Sequence, residues 1–167
     1  MKWFAHDEAL ARVSLKNPVH FLALGFGSGL AAKAPGTFGT LAALPVYLLL
    51  SQFSLGVYIA VTLLACIGGI YLCGKTSKDM GVHDHGAIVW DEVAGLLITM
   101  IAAPAGVLWL LLGFVLFRIF DIFKPWPIRV LDAKVHGGLG IMADDILAGI
   151  FSMLSLQAIV WAVAETA

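Results

Sequence analysis

The chain has 167 residues, enough for one domain of ordinary size. Apolar residues make up 60% of it and charged residues only 13%, about half the share that is usual in a soluble domain, and the formal net charge is −1. This composition excludes a disordered chain and a coiled coil, leaves no basic surface for nucleic acid, and predicts a membrane protein.

The first 30 residues contain no segment long enough to cross a membrane. Residues 1–16 carry mixed charge, lack the features of a cleaved signal peptide, and are interpreted as an amphipathic surface helix. Residues 21–30 are apolar but short and end in a glycine-rich stretch, which indicates an interfacial or re-entrant segment. We therefore expect short interfacial helices before the first crossing.

Three long segments without charged residues follow, at 34–74, 93–117 and 146–164. One helical crossing needs about 20 apolar residues, and the first two segments are each interrupted by a turn signal, at 51–54 and 103–106. The predicted crossings are 37–50, 55–74, 87–102, 107–123 and 146–164. The sequence therefore predicts an all-α polytopic membrane helical bundle with about five crossings.

The basic residues predict the orientation of this bundle. With five crossings, all ten Lys and Arg residues fall on one side of the membrane, together with every acid except Glu165. The positive-inside rule makes that side cytoplasmic. We expect a single integral-membrane domain over residues 1–167, with its oligomeric state left open. A hydrophobic soluble helical protein is the alternative.

A glycine-rich stretch at 27–40 is the first polar cluster. Glycines allow backbone N–H groups to approach an anion, and helix N-termini attract negative charge. The stretch does not end in the Gly-Lys-Ser/Thr sequence of a P-loop, so a loop followed by a helix cap is the alternative interpretation. The candidate phosphate-binding residues here are Lys33, Gly36, Thr37, Gly39 and Thr40.

Five carboxylates lie near the predicted cytoplasmic ends of three helices. They are Asp91, Glu92, Asp121, Asp144 and Asp145. Carboxylates within a membrane are costly and usually functional. Asp144 and Asp145 are expected to open the last helix, where two adjacent charges repel each other unless a cation lies between them. If these helix ends converge, they form an oxygen-lined site for a hard divalent cation.

Basic residues and histidines adjoin these acids in the sequence. Arg118 lies three residues before Asp121 on one helix face. It either forms a structural ion pair with Asp121 or serves a catalytic role. Lys124 and Arg129 are candidates for contact with a phosphate or a lipid headgroup. The two histidines in the loop before Asp91, His83 and His85, are either metal ligands or solvated side chains. If the site hydrolyses a phosphate ester, the candidates for protonating the leaving group are His83, Asp84 and His85, and the sequence does not choose among them.

At these clusters the sequence resembles the phosphatidylglycerophosphatase A family. The matching stretches are GFGSGL, PGTFGT, KDMGVHDHGAIVWDE, FRIFDIFKPWPIR and HGGLGIMADDILAG, between residues 17 and 149. The resemblance implies a Mg²⁺-dependent lipid phosphatase of the bacterial inner membrane. Such an enzyme removes the terminal phosphate of phosphatidylglycerophosphate, a phospholipid in the bilayer, and leaves phosphatidylglycerol.

The residues and the resemblance together predict metal-assisted hydrolysis of a phosphomonoester. In this reading the five carboxylates hold one or two Mg²⁺ ions, and Lys33, Arg118, Lys124 and Arg129 offset the charge of the phosphate. The main alternative is a transporter or channel, because intramembrane carboxylates and glycine-rich helices also serve ion pathways. Against it, the acids cluster at one face, and no inverted repeat is apparent.

Overall fold

The computed structural model describes residues 8–166, and the regular structure in that range is entirely helical. The helices are α1 (Pro18–Ala23), α2 (Pro35–Leu50), α3 (Leu55–Met80), α4 (Trp90–Thr99), α5 (Val107–Phe123), α6 (Ile128–Lys134) and α7 (Gly137–Thr166). Short 3-10 helices occupy Leu10–Arg12 and Gly25–Leu30. The predicted all-α class is thus confirmed over the described residues. Of the surface helix predicted over 1–16, residues 1–7 lie outside them, and the remainder contains only Leu10–Arg12.

The last helix begins earlier than the sequence predicts. α7 starts at Gly137 rather than near residue 146, so Asp144 and Asp145 lie about two turns inside it and do not open it. Both carboxylates are buried and line a polar cavity. The helix therefore includes this acidic pair and the residues before it, although the uncharged segment in the sequence starts only at residue 146. The bounds predicted for α5, by contrast, are confirmed, because Gly106 precedes it with φ 130° and Lys124 ends it in a left-handed conformation.

The helices run between two ends of the bundle. The α2–α3 turn and the α4–α5 turn meet at one end, where Ser51 and Ala103 line a shared cavity of about 170 Å³. α7 reaches the same end, since Gln157 Nε2 donates to the carbonyl of Ile101 at 3.0 Å. The opposite end therefore gathers the end of α3, the starts of α4 and α7, and the end of α5.

α4 is the central helix, and all its residues from Val93 to Thr99 are buried. It crosses α7 where two glycines meet: a Cβ on Gly149 would lie 2.6 Å from the carbonyl oxygen of Gly95. Small residues at a crossing allow helix backbones to approach closely. This approach brings the acidic start of α4 beside the acidic pair of α7.

Two of the helices are long and apolar enough to cross a membrane, α3 with 26 residues and α7 with 30. α2, α4 and α5 have 16, 10 and 17 residues, fewer than the roughly 20 that one crossing needs. The five predicted crossings are therefore not confirmed. The predicted turns at 51–54 and 103–106 are present. The individual helices are shorter than the uncharged segments, because the segments also include these turns.

Candidate functional site

A cavity of about 180 Å³ lies at the end of the bundle where α4 and α7 begin. All five predicted metal-binding carboxylates line it, although they come from three helices. The predicted site residues that line this acidic cavity are His83, Asp84, Asp91, Glu92, Asp121, Lys124, Asp144 and Asp145. The fold thus brings together most of the candidate site residues that lie between residues 83 and 145 of the sequence.

Three of these acids form a tight group, which we call the three-carboxylate cluster. Asp91, Glu92 and Asp145 offer oxygens that all lie within 4.8 Å of one another. Asp91 Oδ1 and Glu92 Oε2 are buried and have no hydrogen-bond partner among the described residues. The N-terminus of α4 offsets part of their charge, but carboxylates this close repel unless a cation or a proton joins them. An all-oxygen donor set with unpaired buried oxygens fits a hard divalent cation.

Arg118 neutralises Asp121, the fourth acid. Its Nη1 atom donates to Asp121 Oδ2 and, at 3.4 Å, to Thr40 Oγ1. The Arg118 and Asp121 side chains are only 15% and 12% exposed, and Thr40 is fully buried and donates to the carbonyl of Gly36 at 2.9 Å. Gly36 and Thr40, which the sequence proposed as phosphate-binding residues, therefore contact the back of the site and do not line the cavity.

Lys124 neutralises Asp144, the fifth acid. Its Nζ atom donates to Asp144 Oδ2 and to Asp132 Oδ1, both at 2.7 Å. Burial would lower the pKa of Lys124, but its hydrogen bonds to Asp132 and Asp144 raise it above the ordinary value, so the ammonium stays charged. Lys124 is the one Lys or Arg that lines the cavity among the described residues.

Asp132 is a cavity residue that no motif in the sequence identifies. It lies in the short helix α6, eight residues after Lys124, and lines the acidic cavity with it. No spacing pattern links Asp132 to the other acids, because the turn at 125–127 brings it back towards Lys124. Its position between two of the recognised motifs is the only signal that the sequence carries.

The two candidate histidines, His83 and His85, differ in position. His83 lines the acidic cavity, and its Nε2 accepts a hydrogen bond from the Gly137 backbone N–H at 3.3 Å. Its ring also packs edge-to-face on His136, with centroids 4.9 Å apart. His85 does not line the cavity; its Nδ1 accepts from the backbone N–H of Ala87 at 3.1 Å. Of the three candidate proton donors, His83 and Asp84 thus face the site.

Four other predicted residues do not line the cavity: Lys33, Thr37, Gly39 and Arg129. The side chains of Lys33 and Arg129 are exposed, and Thr37 lies in the first turn of α2. Gly39 packs on the segment before α4, where a Cβ would lie 2.6 Å from Val89 Cβ. The structure therefore gives this glycine a role in packing α2 against residues near the site.

Comparison with known proteins identifies related sequences. The family model for phosphatidylglycerophosphatase A matches residues 21–160. A phosphatidylglycerophosphatase A of Escherichia coli is 53% identical over 87% of this chain and 86% of its own length. One of Haemophilus influenzae is 50% identical over 92% and 95%. A provisionally named phosphatidylinositol-3-phosphatase of Bacteroides thetaiotaomicron is 36% identical over 83% and 91%. No solved structure matches the chain.

Proposed function

Because the chain belongs to the phosphatidylglycerophosphatase A family, it is a phosphatase acting on phosphatidylglycerophosphate, and we propose that the acidic cavity performs this reaction with Mg²⁺. The observation that supports this location is the three-carboxylate cluster: its three residues line the same cavity as Lys124, and two of them carry buried oxygens that have no hydrogen-bond partner among the described residues. A cation-binding group beside a phosphate-binding lysine is the equipment that phosphoryl transfer needs.

Asp91, Glu92 and Asp145 are the residues that would hold the metal. Asp121 and Asp144 already accept hydrogen bonds from Arg118 and Lys124, respectively. This division fits the preference of Mg²⁺ for few protein carboxylates, with the remaining positions left to water and phosphate oxygens. When bound, the ion supplies Lewis-acid stabilisation of the phosphate charge and activation of water.

The protein's own side chains bind the phosphate and move a proton. Lys124 places a permanent positive charge at the cavity wall, where it binds a phosphate oxygen. The proton for the leaving glycerol oxygen comes from one of the two candidate donors that line the cavity, His83 or Asp84. Arg118 pairs with Asp121 and holds it beside the three-carboxylate cluster, without reaching the phosphate.

The apolar outer surface supports a membrane location for this site. α3 and α7 are the crossing helices in our proposal, and α2, α4 and α5 are embedded beside them because they run between the same two ends. Large apolar side chains cover the outer face of α5, among them Val107, Leu108, Leu111 and Phe123. The end with the acidic cavity is cytoplasmic, since the Lys and Arg residues between 8 and 166 lie there, and the acyl chains of the substrate stay in the bilayer.

Phosphate release from phosphatidylglycerophosphate in detergent micelles tests the activity. We expect release that EDTA abolishes and Mg²⁺ restores, with much slower release from phosphatidic acid and phosphatidylinositol-3-phosphate. Faster release from either of these lipids would contradict the headgroup assignment. Activity that is unaffected by exhaustive chelation would contradict the metal. Because micelles have no sealed interior, activity in them also separates a phosphatase from a transporter.

Labelling of introduced cysteines in intact cells tests the orientation. A Glu165→Cys variant should react with a membrane-impermeant maleimide from outside, because the end of α7 lies opposite the acidic cavity. Lys134→Cys, at the end of α6 beside the cavity, should react only after the cells are opened. The reverse pattern would contradict the cytoplasmic placement.

A further inference from the structure

Lys124 lies between two carboxylates whose surroundings differ. Its distances to Asp132 Oδ1 and Asp144 Oδ2 are equal, at 2.7 Å. The Asp144 side chain is 9% exposed and belongs to the long helix α7, whereas the Asp132 side chain is 43% exposed and belongs to the seven-residue helix α6. Asp132 can therefore exchange Lys124 for water far more easily than Asp144 can.

The charge of the cavity makes this difference important. Seven acids line the acidic cavity beside one lysine: Asp84, Asp91, Glu92, Asp121, Asp132, Asp144 and Asp145. The ammonium of Lys124 has three N–H donors, and two of them are engaged. A phosphate on the third donor would lie against two carboxylates that flank the same nitrogen, and like charges at such short range repel strongly. Close binding of a phosphate dianion therefore requires one carboxylate to leave.

We propose that Asp132 is a positioning residue that holds Lys124 while the site is free of phosphate and gives it up to the phosphoryl group of the substrate. The inference rests on the proposed function of the acidic cavity. Asp144 stays with Lys124 throughout, because Lys124 is the one cation that it pairs with among residues 8–166, and separating a buried carboxylate from its partner is costly. Asp132 moves into water, which its exposed position allows.

Asp132 also competes with the product, inorganic phosphate, for Lys124. Inorganic phosphate carries the same charged oxygens as the substrate's terminal group, so it displaces Asp132 in the same way. When phosphate leaves, Asp132 binds Lys124 again and opposes rebinding. Asp132 thus weakens the binding of substrate and product alike, and it shortens the time for which product occupies the site.

Binding of inorganic phosphate to the full chain in detergent, with Mg²⁺ present, tests the inference directly by ³¹P NMR titration. Asp132→Asn keeps the shape of the side chain and removes its charge, so we expect phosphate to bind about tenfold more tightly, the effect of one lost charge-assisted hydrogen bond. The KM for phosphatidylglycerophosphate should fall by a similar factor, without a matching rise in kcat. Asp132→Ser, a second variant at this exposed position, should behave alike.

A double-mutant cycle identifies Lys124 as the group for which Asp132 competes. In a Lys124→Gln background, Asp132→Asn should leave phosphate affinity unchanged. Asp79→Asn is the matched control, because Asp79 also pairs with a lysine, Lys75, but does not line the cavity; it should alter neither phosphate binding nor activity.

Several results would overturn the role of Asp132. They are weaker or unchanged phosphate binding in both Asp132 variants, a gain that persists without Lys124, and a loss of Mg²⁺ binding on Asp132→Asn, which would make Asp132 a metal ligand. None of these results would contradict the phosphatase activity proposed for the wild-type protein. A wild-type protein that neither binds phosphate nor hydrolyses the lipid would instead remove the proposed function, and this inference with it.

Discussion

Gly36 lies directly against the carboxylate of Glu92. A Cβ at position 36 would lie 2.3 Å from Glu92 Oε1 and 3.3 Å from Arg118 Nη1. Because 2.3 Å is well inside van der Waals contact, any side chain at this position pushes the Glu92 carboxylate out of its place. The structure thus explains a glycine that the sequence suggested for phosphate binding: it makes room for a member of the three-carboxylate cluster.

The Gly36→Ala variant should lose activity while remaining folded. Moving Glu92 by about 1 Å disturbs the cation site, and displacements of this size cost about 100-fold in rate in other enzymes. Phosphate release from lipid micelles measures the effect, and circular dichroism checks the helical content. Gly68→Ala is the control, since a Cβ there meets nothing within 4 Å; it should keep full activity. Equal activity in the two variants would contradict the contact.

Replacement of Asp145 by Asn should abolish both metal binding and activity. The exchange keeps the shape of the side chain but removes one of three charges that surround the site, so we expect phosphate release to fall by about 100-fold or more. Asp91→Asn should behave in the same way. Isothermal titration with Mg²⁺ reports the loss of binding independently of activity. Substantial activity in both variants would refute the assignment of the metal to this cluster.

The acids of the site could be predicted from the sequence because a carboxylate in an apolar segment has few structural uses. Asp91 and Glu92 directly precede the uncharged segment at 93–117, and Asp121 closely follows it. The turns at 51–54 and 103–106 place these helix ends on the same side. The convergence of these ends then follows from the alternating direction of successive helices. The division of the acids into paired and unpaired carboxylates does not follow, because it depends on which cation lies within reach.

The path of the loops could not be predicted. Lys33 lies in the glycine-rich motif but points into solvent, since nothing in the local sequence records how far a loop stands from a cavity formed by other helices. Asp132 shows the converse, as an unremarkable acid that the turn at 125–127 brings to Lys124. The predicted start of α7 is wrong for a related reason. The charge of Asp144 in the sequence indicates the first turn of a helix, and only the cavity that Asp144 lines explains a buried carboxylate two turns inside α7.

Arg118 stabilises the fold through Asp121, and its removal should be costly. Both side chains are largely buried, so Arg118→Met leaves Asp121 uncompensated beside the three-carboxylate cluster. Loss of one partner from a buried ion pair costs about 3–5 kcal/mol of unfolding free energy. Arg118→Met with Asp121→Asn should recover most of this loss, because no unpaired charge then remains. Thermal unfolding in detergent compares the variants, and a single variant as stable as the parent would show that the pair contributes little.

The contact between α3 and α7 at Gly138 holds the acidic pair of α7 in register with the rest of the site. A Cβ on Gly138 would lie 1.9 Å from the carbonyl oxygen of Ile70 and 2.9 Å from the Cα of Gly74. Since both neighbours are backbone atoms, Gly138→Ala must separate the two helices. Overpacking of this kind costs about 1–3 kcal/mol, and it shifts the start of α7, which lies under two turns before Asp144.

We therefore expect Gly138→Ala to lower both the melting temperature and the rate of phosphate release. Gly56→Ala is a closely matched control: Gly56 is the second residue of α3 as Gly138 is of α7, but a Cβ there meets nothing within 4 Å. Both exchanges raise helix propensity equally, so the control should be as stable as the parent or slightly more so. A Gly138→Ala variant that matches the control in both measurements would mean that α7 is positioned by its other contacts, with α4 and α5, and not by its approach to α3.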